Sequence, residues 1–338
     1  MSEASSWREL LKVMISTPKE RDRLASEVGV SSITLTRWVS GNFEPRPQSL
    51  QRLSQVVPSE HREEFHALLT RAYPHMSNPA SFYEPSELAS EFFRRVLETR
   101  SSTSDQQLYW TITQQVLQHA IRQLDPERIG ISITVVRCMP PCSDGKVHSL
   151  RENVGIGTPP WEGDLTSKAL FLGAESLAGY VVSSFHPEAV DDLTEDRTFV
   201  PAYQAENEIS AIAWPILYTG RTAGCLLLSS MLPGYYKSEA RRLLIADYAR
   251  LLSLAFLPEE FYPYEMIDLR QMPPLDVQRE LFGHFQQRVT QLIVEKMNTP
   301  ERIGRTEAEL AVWQEIEAQL IEYVYSRKKK IAAASEKA

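Results

Sequence analysis

"EISAIAWPILYTGRTAGCLLLSS", residues 208–230, decides how the larger part of this chain folds. Two apolar runs, "EISAIAWPIL" and "RTAGCLLLSS", flank the short turn "YTG", the pattern of a hairpin of buried strands. A strand buried on both faces carries a near-continuous apolar run, because neither face is wet. Upstream, "IGISITVVR" (129–137) reads as another strand, "CSDGKV" holds an Asp-Gly turn, and "KVHSLR" begins the partner strand. "GAESLAGYVVSSFHP" reads as a short helix, followed by a brief extended piece in "EAVDDL". "SEARRLLIADYARLLSLAF" closes the region as an amphipathic helix, with Ser238 as its cap and Glu239 in its first turn. Two striped helices come before the strands. One carries Leu88, Phe92 and Val96, and the other Leu108, Ile112, Val116 and Leu124.

A length of 338 residues predicts two or three domains, each able to bury a core. No apolar run reaches the roughly eighteen residues of a membrane helix; Glu175 interrupts the nearest candidate, "ALFLGAESLAGYVV". The opening "MSEASSWREL" lacks the cationic and apolar regions of a secretory signal, and three cysteines are too few for a disulfide scaffold. A cytoplasmic protein with no membrane contact is expected. The net charge of −8 argues against a chain coated for nucleic acid. The charge is uneven, however: residues 1–75 hold 10 Lys and Arg against 9 Asp and Glu, and the remainder 26 against 35. A weakly basic head on an acidic body is compatible with DNA contact confined to the head.

The head contains "LASEVGVSSITLTRWVSGNFEPRP", residues 24–47. Thr17, Pro18 and Glu20 form a helix start with a capping box, and the helix runs to about Val28. Gly29 supplies a sharp turn, Ser31 caps a second short helix, and Gly41 ends it. Val30, Leu35 and Trp38 take the inward positions, leaving Ser32, Ile33, Thr36 and Arg37 outside. A helix enters the major groove when that outer face is slim and carries donors or methyl groups. The stretch "RLASEVGVSSITLTRWVSGNFEPRPQSLQRLS" resembles the helix-turn-helix of the lambda-repressor-like (XRE) family over about residues 6–73. The resemblance implies a five-helix DNA-binding head in which Ser32, Ile33, Thr36 and Arg37 face bases and Arg21 faces a phosphate. Ser31 and Arg46 complete the implied DNA-contacting set. The family often has Gln where Arg21 stands.

The order "SLAGYVVSSFHPEAVDDL", then "EISAIAWPILYTGRTAGCLLLSS", then "LLIADYARLLSLAF" resembles a GAF domain over about residues 86–257. That resemblance implies a central antiparallel sheet with helices on one face and a ligand pocket on the other. It points for the pocket to Tyr180, Phe185, His186, Asp192 and Arg197, with Trp161 as a lid. No bilin-anchoring or cyclic-nucleotide motif is present, so the effector is not named. Four regions are expected: a DNA-binding domain (1–73), a linker (74–86), a GAF-like sensor (87–257) and a strap with a helical oligomerisation region (258–338). In that last region, Leu281, Phe285, Val289 and Leu292 share one helix face, and Leu310, Trp313, Ile316, Leu320 and Val324 another. The fold class is multidomain α and α+β, ending in a C-terminal helical hairpin.

Cys138, Cys142 and His148 lack a fourth ligand and zinc-like spacing, so no metal site is expected. With no Ser-His-Asp, paired-carboxylate or phosphate-loop pattern either, no catalytic residues and no enzyme are expected. The function expected is a sequence-specific transcription regulator, a homodimer on a double-stranded DNA operator, responding to a small molecule or partner. Two other readings stay open. A redox enzyme of the methionine-sulfoxide-reductase type would need Cys138 or Cys142, and a ligand-free interaction module would need a filled pocket.

Overall fold

Polar caps set the helices that open the chain. Ser6 accepts from the Glu9 amide at the head of α1 (Trp7–Met14), Thr17 from the Glu20 amide at α2 (Pro18–Val28), and Ser31 from the Thr34 amide at α3 (Ser32–Val39). Each cap satisfies a donor that has no partner within its helix. The computed structural model describes residues 6–41, 43–45, 49, 50, 53, 56–72, 87–161, 165, 170–193, 208–297 and 302–335. Chain contacts divide it into two units, Met1–Tyr83 and Glu84–Ala338.

In the first unit, Gly29 ends α2 in the left-handed region at φ 79°, and the Gly29 and Val30 amides both close onto the Ala25 carbonyl. This turn crosses α3 over α2. Residues 49, 50, 53 and 56 are also helical, and α4 (Ser59–Ala72) follows. The core gathers Trp7, Leu11, Leu24, Leu35, Trp38, Leu50, Leu53 and Phe65, all nearly free of solvent.

The second unit begins with α5 (Ser90–Ser102) and α6 (Asp105–Leu124). Six strands follow: β1 (Ile131–Cys138), β2 (Leu150–Gly157), β3 (Phe171–Leu172), β4 (Glu188–Val190), β5 (Ser210–Tyr218) and β6 (Arg221–Ser230). They form one sheet in the order β3-β2-β1-β6-β5-β4, with every printed pair antiparallel. The hairpin of residues 208–230 is β5 and β6, and β6 lies beside β1 at the centre. Alternation along β1 divides the body into two cores. Ile131, Ile133 and Val135 face α5, α6 and α8 (Glu239–Leu252), whereas Val136 and Cys138 face α7 (Leu177–Ser184). Burying each such side chain is worth about 1.5–3 kcal/mol, so both faces of the sheet contribute.

Residues 258–274 run over the body and touch it at two bridges, Thr222 with Tyr262 and Val147 with Ile267. Three helices close the chain: α9 (Leu275–Phe282), α10 (Phe285–Met297) and α11 (Arg305–Ser335). The expected single helix over 277–297 is broken at Gly283, where a helix-interior glycine costs about 1 kcal/mol relative to alanine. The buried Gln278 side chain exchanges hydrogen bonds with both backbone groups of Phe171, extending the edge strand β3 into α9. The fold is therefore mixed, with helices on both faces of a curled antiparallel sheet and a separate helical unit ahead of it.

Candidate functional site

Among the described residues, two of the surfaces with exposed or unsatisfied chemistry bear on function. The first is the outer face of α3. Leu35 and Trp38 are buried, whereas Ile33 is 65 % exposed and Thr36 and Arg37 point to solvent. An exposed isoleucine on a helix held by a buried Leu and Trp cannot be explained by the core of its own unit. The Arg37 side chain makes no hydrogen bond or ion pair among the described residues. Ser31 is committed to its cap and also meets the Thr34 hydroxyl at 2.8 Å. Ser32 donates to Asp22 at 2.6 Å, and Thr36 donates to the Ser32 carbonyl at 3.1 Å. Arg21 lies on α2 next to this face, 3.9 Å from Asp22. Arg46 lies outside the described residues.

The second surface is one end of the sheet face opposite α6 and α8. On that face β1 places Ser132 and Thr134, each less than a tenth exposed, beside Ser229 of β6. Ser229 donates to Glu208, whereas the hydroxyls of Ser132 and Thr134 have no hydrogen-bond partner among the described residues. The register slip between Val135 and Val136 sets Glu152 of β2 opposite Val136, on the same face. The Glu152 carboxyl is likewise without a hydrogen bond or ion pair among the described residues, while its amide donates to the Leu170 carbonyl. Burial pushes its carboxyl up to about 8, and the Glu208 charge adds to the shift. Gly155 keeps this floor low: a Cβ there would stand 2.7 Å from the Thr134 hydroxyl. Three groups with spare hydrogen-bonding capacity on one face make a polar floor that suits a hydrogen-bonding guest. Such a guest would accept from the two hydroxyls and from a protonated Glu152, or donate to its carboxylate.

The raised Glu152 carboxyl has a consequence for stability. The folded state holds this proton above the ordinary carboxylate value of 4.5, so its contribution to stability falls as pH rises from there to about 8. Glu152→Gln is expected to match the parent near pH 5 and to exceed it at pH 8. Urea midpoints of both proteins across that range check this, and parallel curves would show an ordinary, solvated Glu152.

The pocket residues expected from the sequence do not gather on this floor. Helix α7 turns Leu177, Ala178, Val181 and Val182 to the sheet, which leaves Tyr180 43 % exposed on the outer side. Phe185 ends α7 in the left-handed region at φ 61° and meets Tyr264 edge-on, with ring centroids 6.0 Å apart. His186 is exposed and bonds back to the Ser184 carbonyl at 2.7 Å, a turn contact. Asp192 is half-buried just past β4, Trp161 is half-buried beyond β2, and Arg197 lies outside the described residues. Sequence patterning missed Ser132, Thr134 and Glu152, because in "IGISITVVR" and "LRENVGIG" they look like the polar half of an edge strand.

All three cysteines are free. Burial pushes the Cys138 thiol up to about 12 and raises Cys225 well above its usual range. Cys142 rises to about 11 through burial and the neighbouring Glu317 and Asp144 charges. A thiol held protonated in this way is a poor nucleophile. Among the described residues, no group of three His, Cys, Asp or Glu could hold a metal, and no helix is long and apolar enough to cross a membrane.

No protein-family model and no curated protein matches the chain. Several solved structures are similar to part of it. The type II free methionine-R-sulfoxide reductase of Thermoplasma acidophilum is 14 % identical over 46 % of this chain and 99 % of its own, with a TM-score of 0.34. The GAF domain of Acinetobacter phosphoenolpyruvate-protein phosphotransferase is 16 % identical over 50 % and 93 %, with a TM-score of 0.32. The free methionine-R-sulfoxide reductase of Neisseria meningitidis, solved with its substrate, is 13 % identical over 51 % and 94 %, also at 0.32. Two of these three are reductases in their own right, which corrects the expectation that the chain is not an enzyme. That expectation rested on missing sequence motifs, and a fold does not by itself fix whether a chain catalyses. At this identity no residue role transfers from any of them.

Proposed function

We propose that the chain is a sequence-specific DNA-binding regulator of transcription, acting as a homodimer on a two-half-site operator in the cytoplasm. Residues 1–73 form a lambda-repressor-like reader, and the sheet unit is a GAF-type sensor joined to it through residues 74–86. The observation that supports this best is the face of α3: a short capped helix, anchored by Leu35 and Trp38, that presents Ile33, Thr36 and Arg37 to solvent. Ile33 suits a thymine methyl and Arg37 a guanine edge or phosphate. Asp22, bonded to Ser32, is the acidic neighbour that such a face must tolerate beside DNA. Ser32, Thr36 and Arg21 complete the surface, with Ser31 contributing through its cap.

On the sensor side, Ser132, Thr134 and Glu152 are the groups that engage a small effector rich in hydrogen-bonding groups. Effector binding shifts DNA affinity only as far as the effector prefers one spacing of the two readers over the other.

The test is binding to a duplex recovered by selection. Arg37→Ala is expected to lose about 1–3 kcal/mol of affinity and to relax preference at one base pair. Arg21→Ala should weaken all duplexes alike and flatten the salt dependence. Unchanged affinity and base preference in Arg37→Ala would refute the base-reading role.

A further inference from the structure

Arg137 of β1 and Arg151 of β2 are direct cross-strand partners, so two guanidinium groups stand side by side on one face of the sheet. Like charges set opposite each other in neighbouring strands destabilise a sheet unless something neutralises them. Arg137 has its own answer: it pairs with Glu260 and lies over the Tyr109 ring at 4.2 Å and the Phe256 ring at 5.2 Å. Arg151 has none. Its guanidinium lies 4.5 Å over the ring of Trp313 from α11, and it makes no hydrogen bond or ion pair among the described residues. The carboxylate whose field reaches it, Glu309, is already bound to Arg305 at 2.8 Å.

This stack covers one face of the Arg151 guanidinium and supplies it no counter-charge. Trp313 is itself fixed, stacked at 4.1 Å on Phe285. An indole covers the face of a guanidinium but not its edge, and the N–H donors of arginine lie in the plane, along the edge. A forked edge of donors matches the two oxygens of a carboxylate or phosphate. Close by, the buried Tyr109 hydroxyl lies within the field of both guanidinium groups. We propose that Arg151, with Arg137 beside it and Trp313 as a roof, is a binding site for the oxyanion group of a small carboxylate- or phosphate-bearing molecule. The site lies between the sheet and the C-terminal helices, on the face opposite the Ser132–Glu152 floor, and it stands independently of the regulator reading. Burial and the Arg137 charge push Arg151 down to about 10, which leaves it charged at neutral pH.

The site also makes the C-terminal helices responsive to the ligand, because Trp313 belongs to α11 and Arg151 to the sheet. The experiment uses the full chain in chloride buffers of matched ionic strength, with inorganic phosphate in one arm and acetate in the other. Thermal midpoint and tryptophan emission are followed, and Trp313→Phe identifies the part of the emission change that comes from the roof. A saturable response to one or both anions is expected in the parent, and the responding arm names the group. Arg151→Gln should bind the responding anion about tenfold more weakly or worse, and should be at least as stable as the parent in chloride, since the unpaired charge is gone. Phosphate also stabilises proteins generally by exclusion from their surface, so the comparison is between parent and variant in the same buffer. Arg151→Lys keeps the charge but loses the fork, and should fold while losing most of the response. Equal responses in the parent and both Arg151 variants would overturn the proposal, as would a parent that answers neither anion beyond chloride.

Discussion

Alanine in place of Gly224 is expected to cost the sheet unit about 3–5 kcal/mol, from overpacking and backbone strain together. Gly224 sits in β6 opposite Arg137 of β1, at the centre of the sheet, with φ at 142°, a conformation that side chains rarely adopt. A Cβ there would stand 2.0 Å from the Val136 carbonyl oxygen and 2.9 Å from the Arg137 Cα. Both obstacles are backbone, so no side chain can swing aside, and the two central strands would have to part. Urea denaturation of the full chain, followed by far-UV circular dichroism, reads the loss as an earlier transition of the larger unit. A shift worth under about 1 kcal/mol would mean that β1 and β6 do not approach this closely.

The second large effect belongs to the helical unit. Trp38 is 2 % exposed and among the largest fully buried side chains of the chain. It packs with Trp7, Leu35, Leu53 and Phe65 in a core of modest size, and its carbonyl also receives the Arg8 guanidinium at 3.1 Å. Trp38→Ala removes the largest piece of that core, at a cost of about 3–5 kcal/mol. Folded domains hold only about 5–15 kcal/mol in total, so much of this unit's stability would go. Trp38→Phe should restore most of it, because the indole N–H has no partner to lose. Proteolysis that maps early cuts within residues 6–72 of Trp38→Ala, with the sheet unit intact, is the expected pattern. Resistance equal to the parent would mean that Trp38 does not hold α3 in place.

Much of this architecture was legible locally. The caps at Thr17 and Ser31, the left-handed turn at Gly29 and the hairpin across "YTG" each follow from short-range chemistry. What stayed hidden depends on register and on which side of an element faces inward. In "LAGYVVSSF" the first six residues carry no charge and no polar stripe, so nothing in it says that Val181 and Val182 turn inward and Tyr180 outward. The slip between Val135 and Val136 decides the face on which Glu152 lies, and no residue near it announces an extra position in the strand. Arg137 and Arg151 stand fourteen positions apart and become neighbours only through that same pairing. The helix breaks at Gly283 although the apolar spacing on either side continues across it.

Selection of duplexes from a random pool by the full chain, at physiological salt, tests the DNA-reading role most directly. The role predicts enrichment of one sequence carrying two related half-sites about 34 Å apart, or a multiple of that distance. It also predicts that the enrichment disappears when Ile33 and Arg37 are both replaced by alanine in an otherwise folded chain. No enrichment over non-specific binding, or the same enriched sequence from the double variant, would contradict it.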